Sequence, residues 1–474
     1  MQKNLYKNSY DLLQNDLKNK ILLLDGAMGT MIQQENLTAD DFGGEKYEGC
    51  NDYLVLQRPD VIKNIHKKYL EAGSDIIETN SFGALDIVLK DYDLEDTVFE
   101  MNKKAAELVN EAIAEYRSEH PEVTRNLYVA GALGPSNKSI SVTGGVTFEE
   151  LIHTYYTAVS GLMAGGVDLI LFETIQDTRN LKAAYLGLKK AMEENYTVPL
   201  MLSFTIESTG TTLAGQTADA FYYAVNHMNP FSVGLNCATG PEFMTQFLKT
   251  LNNISNTYIS VYPNAGLPNE DGEYEETPDT LSAKIEPFFQ NNYLNIVGGC
   301  CGTTPEHIQK IKEKSVNYSP RIIDENKDFN DVSGLISLET PKDRPIYVGE
   351  RTNVIGSRIF KNLIASEKFD EATEVARLQI KGRADVIDIC LANPDRDEIA
   401  DMKAFLDKVA KFAKVPLMID STDINVVKEG LTYLQGKGII NSINLEDGEK
   451  KFADMAKVIK DFGASVVVGL IDEE

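Results

Sequence analysis

At 474 residues, 43% of them hydrophobic and 25% charged, the chain is too long for one ordinary core and has the composition of a globular protein of two or three domains. A net charge of −26 argues against a nucleic-acid backbone or an anionic membrane surface as partner. The N-terminus shows no targeting segment and no window reaches membrane-spanning length, so the chain is expected to be cytoplasmic. In a reducing cytosol, clustered cysteines bind metal or react instead of pairing.

Short apolar runs alternate with longer amphipathic ones. Strands are predicted at residues 21–24, 76–78, 128–132, 169–173, 200–204, 232–235, 259–262 and 296–298. Helices are predicted at 60–71, 97–116, 147–164, 178–195, 241–252 and 278–291. Pro59, Pro241 and Pro278 fall at or near helix starts, where a missing N–H costs nothing. Eight strands alternating with helices, with no G-x-G-x-x-G after the first, predict a (β/α)8 TIM barrel over residues 1–316. Residues 317–344 are polar and carry Pro320 and Pro341, with Pro345 just beyond; they read as a linker with one short strand.

The alternation restarts after the linker. Strands are predicted at 346–349, 386–390, 417–419, 439–443 and 465–470, and helices at 367–382, 396–413, 424–435 and 448–462. Five strands cannot close a barrel without exposing unpaired backbone. Residues 345–474 are therefore expected to form an incomplete second (β/α) barrel of about five strands, within a fragment of a longer protein.

In a barrel, chemistry collects at the C-terminal ends of strands. The segments D-G-A-M-G-T (25–30), E-T-N-S-F-G (78–83), G-A-L-G-P-S (131–136), F-E-T (172–174), G-L-N-C-A-T-G-P (234–241) and G-G-C-C-G-T-T-P (298–305) all fall there. Cys237, Cys300 and Cys301 thus leave different strands toward one mouth. Three converging thiolates suit zinc, with a fourth position open as in a catalytic site. Adjacent cysteines on a regular strand point to opposite faces, so the flanking glycines are expected to bend the backbone until both sulfurs face the ion. Core packing is the competing reading of a lone Cys-Cys pair; a third cysteine at another strand end favours metal. Cys50, in a loop, and Cys390, on a second-domain strand, are not expected to ligate. His307 reads as a capping or surface residue.

Together these ordered motifs resemble the homocysteine S-methyltransferase family from Leu12 to about Lys314. The resemblance implies a zinc barrel that binds homocysteine, with Cys237, Cys300 and Cys301 as catalytic zinc ligands. It also implies Asp25, Glu173 and Asn236 near the amino acid, with backbone of Gly26 and Ala27 lining the pocket. A free thiol is only a few per cent ionised at neutral pH, and zinc would remove the proton outright. Asp25 or Glu173 could hold the substrate ammonium; the alternative for each is a helix cap or a hydrogen-bonded barrel carboxylate.

The second half carries Y-V-G-E-R-T-N-V-I-G-S-R (347–358), P-L-M-I-D-S-T (416–422) and G-K-G-I-I-N-S-I-N (436–444). These resemble the pterin-binding domain of the cobalamin-dependent methionine synthases. The resemblance implies Glu350, Asn353, Asp420 and Asn441 as pterin contacts, and Asp388 still matches although its loop, D-I-C-L-A-N-P-D-R-D, departs from the pattern. Carboxylates and amides at strand ends can pair with the donors and acceptors on one pterin edge. The implied activity is methyl transfer to homocysteine from methylcobalamin, recharged by 5-methyltetrahydrofolate, giving methionine. No D-x-H-x-x-G cobalamin motif occurs, so the cobalamin-binding module is expected elsewhere, in cis or in trans. Three alternatives stand beside this. One is a homocysteine-binding subunit that needs a separate cobalamin protein. Another is a direct betaine– or S-methylmethionine–homocysteine methyltransferase. The third, a fusion to a flavin-dependent folate reductase, is disfavoured by G-E-R-T-N and M-I-D-S.

Overall fold

The computed structural model describes residues 2–269, 274–324, 327, 331–339 and 343–471, with side chains from residue 9 onward. The chain forms two compact units. The first comprises Met1–Gln176, Ala183–Leu213 and Pro230–Lys327; the second comprises Asp177–Lys182, Ala214–Asn229 and Asp328–Glu474.

The first sheet has eight parallel strands: β1 (Leu22–Leu23), β2 (Ile76–Glu78), β3 (Tyr128–Leu133), β4 (Leu169–Ile175), β5 (Leu200–Phe204), β6 (Ser232–Asn236), β7 (Tyr258–Tyr262) and β8 (Ile296–Val297). Each pairs with its neighbour in chain order, and β8 returns to β1. A parallel bridge from Leu24 to Ile76 closes the circle. This is the expected barrel. Every residue of β3, β5, β6 and β7 is buried, because the helices cover one face and the barrel interior the other.

One element was not anticipated. An N-terminal helix, Gln2–Asn19, lies against the starts of the strands. Its Leu13 and Leu17 are fully buried in one cluster with Leu22, Ile76, Tyr128, Leu169, Tyr258 and Ile296. Asp16 holds it in place by accepting from the Tyr128 hydroxyl at 2.8 Å and the Asn126 amide at 3.0 Å. The helix plugs the N-terminal end of the barrel and leaves chemistry to the opposite end.

In the second unit, β9 (Val332–Ser333) and β10 (Ser337–Leu338) form a small antiparallel hairpin. The expected linker therefore holds two short strands instead of one; its residues 325–326, 328–330 and 340–342 lie outside the described residues. A five-stranded parallel sheet follows in the order β11 (Val348–Asn353), β12 (Val386–Cys390), β13 (Leu417–Asp420), β14 (Ile439–Ile443) and β15 (Ser465–Val468). It matches the expected incomplete barrel. Strand β11 begins two residues later than predicted and runs through the G-E-R-T-N motif. As an edge strand it keeps Glu350 and Arg351 exposed, so polarity concealed how far the predicted strand runs.

Leu17→Ala removes a fully buried side chain from the barrel plug and is expected to cost about 2–5 kcal/mol. Urea unfolding of the variant measures it, and a loss below 1 kcal/mol would mean that the plug adds little to the barrel.

Candidate active site

The loops after β6 and β8 carry the three cysteines to one point. Cys237 Sγ and Cys301 Sγ are 3.8 Å apart, and the sulfurs of Cys237, Cys300 and Cys301 all lie within 4.8 Å of one another. Among the described residues this is the only such group of potential metal ligands. Four sulfurs at a zinc–sulfur distance of ~2.3 Å sit ~3.8 Å apart in a tetrahedron, so the spacing and the all-sulfur donor set fit zinc. Without a metal the three thiols share charge unequally. Hydrogen bonds from Cys237 and Cys300 hold Cys301 down at about 3, while hydrogen bonding to Cys237 and Cys301, with burial, keeps the Cys300 thiol protonated.

The backbone achieves this partly as the sequence leads one to expect, with a flanking glycine making one bend and the other turn falling at Cys237 and Ala238. Cys237 and Ala238 adopt left-handed conformations, with φ of 54° and 57°, a costly geometry for residues with a Cβ. The bend after the cysteine pair is made at Gly302, where φ is 82°. Gly298 and Gly299 serve a different need, close approach. A Cβ on Gly298 would meet the Asp25 carbonyl oxygen at 2.8 Å, and one on Gly299 would meet Thr303 Oγ1 at 2.5 Å.

Beside the sulfurs, three carboxylates share the mouth. Asp25 and Glu173 were expected there; Glu78, from the E-T-N-S-F motif, was not singled out. Burial, then the charge of Glu173, pushes Asp25 well above the usual carboxylate range, against a hydrogen bond from the Glu78 N–H. Burial, then Glu173 and Asp25, does the same to Glu78. Glu173 is pushed up to about 8 by burial first and by Cys301 second. Asp25 Oδ1, Glu78 Oε1 and Asn264 Oδ1 are buried acceptors with no protein partner. Leaving such atoms unpaired costs about 1–3 kcal/mol each, and a donor-rich cationic ligand would satisfy them.

Asn236 is fully engaged with the protein. Its Oδ1 accepts from the Thr174 N–H at 3.0 Å and the Ser203 hydroxyl at 2.7 Å. Its amide donates to Thr174 Oγ1 at 2.8 Å and reaches Cys300 Sγ at 4.0 Å. It braces the F-E-T turn against the metal loop. The backbone at Ala27 is likewise tied to the cysteine loop: its N–H donates to Thr303 Oγ1 at 3.2 Å, and its carbonyl accepts from the Tyr69 hydroxyl at 3.2 Å. Gly26 is packed directly on both partners, since a Cβ there would meet Thr303 Oγ1 at 2.8 Å and the Tyr69 ring at 2.9 Å. Tyr69 lies on a helix with no motif, and nothing in the sequence marked it.

The second unit gathers its own polar mouth at the strand ends. Asn353, Asp388, Asp420 and Asn441 end or lie within adjacent strands, and Asp420 pairs in register with Asn441. Asp388 is buried and pushed up to about 7 by burial first and the charge of Asp420 second, moderated by hydrogen bonds from Asn441 and Asn353. Its Oδ1 has no partner. Asp420 is raised by burial and by Glu350 while Cys390 donates to it, which gives Cys390 a polar neighbour that the sequence did not suggest. Glu398, also missed, has a buried unpartnered Oε1 near Asp420.

Of the remaining cysteines, Cys50 stays outside the sulfur cluster and is buried. His307 is a capping residue, as expected, but buried and not on the surface: it accepts from the Thr304 N–H through Nδ1 at 3.1 Å.

Known proteins agree with this division. Residues 22–315 match the family model for homocysteine S-methyltransferases, and residues 349–474 match the model for pterin binding enzymes. Among solved structures, the chain resembles the homocysteine methyltransferase MmuM from Escherichia coli. The oxidized form is 24% identical with a TM-score of 0.52, over 62% of this chain and 96% of that one. The metallated form is 25% identical with a TM-score of 0.52, over 63% and 97%.

The raised value of Asp388 carries a pH dependence. Its folded value of about 7 exceeds the ordinary 3.8, so the proton it holds stabilises the fold fully below pH ~4, and that contribution is lost as pH rises through ~7. Asp388→Asn, which cannot ionise, is expected to gain about 1–2 kcal/mol over wild type at pH 8, with the gain shrinking toward pH 4. Urea midpoints at the two pH values check it; an equal offset at both would rule out an ionisation origin.

Proposed function

The chain belongs to the homocysteine S-methyltransferase family, and from that premise we propose that its first unit binds homocysteine at the three-cysteine mouth and methylates its sulfur. It is a methyltransferase; the acceptor site, the metal and the donor are the proposed details. The observation that carries the reading is the triangle of Cys237, Cys300 and Cys301 sulfurs beside buried carboxylate oxygens with no partner. A mouth with a soft-metal donor set on one side and unpaired acceptors on the other suits a ligand with a thiol at one end and an ammonium at the other.

Cys237, Cys300 and Cys301 would hold zinc, which supplies a Lewis acid that makes a bound thiol a thiolate at neutral pH. The chain's own residues do the rest. Asp25 and Glu78 accept hydrogen bonds from the substrate ammonium, which restores the charge that burial suppresses. Glu173, between the carboxylates and Cys301, holds a proton near neutrality and is suited to exchange it with the arriving amino acid. Asn236 fixes the F-E-T turn and the Cys300 sulfur, acting through them on the substrate. Gly26 and Ala27 keep the first loop tight against Thr303, which narrows the pocket.

For the donor, the pterin-type second unit supports 5-methyltetrahydrofolate, with Glu350, Asn353, Asp388, Asp420 and Asn441 facing the pterin ring. Methylcobalamin, bound by a module in cis or in trans, is the carrier that this reading requires. The domains of the proposal are residues 1–316, a linker at 317–344 and a pterin domain at 345–474. A second reading, direct methylation by a small donor, is supported by one observation: the first unit alone spans nearly all of a homocysteine methyltransferase. Methionine formation from homocysteine and S-methylmethionine, without cobalamin, would favour it. Formation only with methylcobalamin would favour the first, and homocysteine binding with neither donor active would leave a binding subunit.

Cys237→Ala and Cys301→Ala are each expected to reduce bound zinc from one per chain to none by elemental analysis; one zinc retained in both sinks the ligand assignment. Glu78→Gln and Asp25→Asn should keep zinc while weakening homocysteine by about 10–100-fold in calorimetry, the worth of a buried charge-assisted hydrogen bond. Asp420→Ala should weaken 5-methyltetrahydrofolate binding and leave homocysteine affinity unchanged; an equal loss of both would indicate unfolding.

A further inference from the structure

Asp25 Oδ1, Glu78 Oε1 and Asn264 Oδ1 are acceptor atoms, and each can take an N–H from an ammonium. An amino acid also brings a carboxylate. A buried mouth already rich in acid repels that second charge unless a donor meets it.

Strand β7 ends between the two cysteine loops. The Cys237 N–H donates to the Tyr262 carbonyl at 3.3 Å, and the Cys300 N–H donates to the Pro263 carbonyl at 2.9 Å. Tyr262, the last residue of the strand, pairs in register with Asn236, whose amide reaches Cys300 Sγ at 4.0 Å. Side chains alternate along a strand, so Tyr258, Ser260 and Tyr262 share a face. Tyr258 and Tyr262 belong to one cluster with Leu24, Ala132 and Leu171, and Cys300 packs against it. That face is the barrel interior, and Tyr262 is its member nearest the mouth on β7.

Tyr262 is 1% exposed, and its hydroxyl has no partner among the described residues. Burying an unpaired hydroxyl is unfavourable, and a phenylalanine would fill the same space without that penalty. A phenol keeps its proton at neutral pH, so the hydroxyl is available as a donor. Its neighbours in the layer are committed elsewhere: Ser203 Oγ donates to Asn236 Oδ1 at 2.7 Å, and the Asn236 amide donates to Thr174 Oγ1 at 2.8 Å. Ser260 Oγ also lacks a partner, but it lies two residues, about 6–7 Å along the strand, further from the mouth.

We propose that Tyr262 is a substrate-binding residue whose hydroxyl donates a hydrogen bond to the α-carboxylate of the amino acid. The proposal rests on the reading of this mouth as the homocysteine site. The unpaired acceptors take the ammonium, and Tyr262 supplies the donor that the carboxylate needs. Groups of opposite kind thus read the two charged ends of the substrate. A thiol amine without the carboxylate leaves the buried hydroxyl unpaired, and the site discriminates against it for that reason.

The test pairs one variant, Tyr262→Phe, with two ligands, L-homocysteine and 3-aminopropane-1-thiol, which is homocysteine without its carboxylate. Calorimetry on the zinc-loaded full chain reads both affinities. Wild type is expected to bind homocysteine about 10–100-fold tighter than the amine thiol, the range for a buried hydrogen bond to a charged group. Tyr262→Phe should weaken homocysteine by about the same factor, leave the amine thiol unchanged, and keep one zinc per chain. Its thermal midpoint should equal or exceed that of wild type, because the lost hydroxyl had no partner in the fold. Unchanged homocysteine affinity in the variant would overturn the proposal. Equal loss of both ligands would also overturn it, since the hydroxyl would then act on the groups they share. A lowered thermal midpoint would overturn it as well, by showing that the hydroxyl serves the fold. Failure of wild type to bind either ligand would instead sink the homocysteine reading on which the proposal rests.

Discussion

Cys237 and Cys301 stand 64 residues apart in the chain and 3.8 Å apart in space, and barrel closure is what makes both statements true. Strands β6 and β8 are separated by β7, so their axes lie about 9–10 Å apart at the ordinary strand spacing. The register keeps their ends level: Asn236 pairs with Tyr262, and Val261 with Val297. Two loops leaving such strands must still turn inward for their sulfurs to meet. The left-handed Cys237 and Ala238, and the turn at Gly302, make that convergence. Left-handed residues with a Cβ cost of order 1–3 kcal/mol each and persist where their surroundings over-determine them. Here the surroundings include the Asn236 brace on one side and the Thr303–Ala27 tie on the other.

The same closure concentrates acid. Asp25, Glu78 and Glu173 come from loops or ends of β1, β2 and β4, and each is displaced upward by burial before any neighbour is counted. Such a mouth resists a further anion and favours positive charge. A divalent cation on the sulfurs and an ammonium on the carboxylates would relieve the strain from opposite sides, and each would make the other's binding easier by drawing protons off shared neighbours. This favours a thiol that also carries an ammonium over a simple alkyl thiol, because the positive charge has acceptors to meet.

Much of this was legible in the sequence. Eight short apolar runs gave the barrel, since strands buried on both faces read as unbroken hydrophobic stretches. The cysteines were legible because they stood at strand ends within glycine-bounded loops. Other features were hidden for physical reasons. Most of the plug helix's described side chains are polar, and among them only Leu13 and Leu17 are buried. Glu78 ends a strand of three residues, where alternation is too short to say which way a side chain faces. The second half of strand β11 hides because an edge strand tolerates Glu350 and Arg351 where a central strand would not. Tyr69 acts across 234 residues of chain, on Thr303, and no local pattern encodes a contact of that span.

The two mouths differ in what they demand of the fold. The sulfur site draws on β6 and β8, with carboxylates from β1, β2 and β4, so it exists only when the sheet is closed. The polar mouth of the second unit draws on β11, β12, β13 and β14, which are consecutive neighbours in an open sheet. Its geometry depends on local register, such as Asp420 opposite Asn441 and Asn353 opposite Cys390. An irregularity between Gly349 and Thr352 sets Glu350 and Arg351 out of the ladder, and the Glu350 charge acts on Asp388 and Asp420. Hydrogen-bonding oxygen and amide groups on four adjacent strands define a row of donors and acceptors. A triangle of sulfurs defines a point suited to one soft ion. The chemistry of the two arrays, soft sulfur in one and hydrogen-bonding oxygen and amide in the other, argues that the chain handles two unlike ligands.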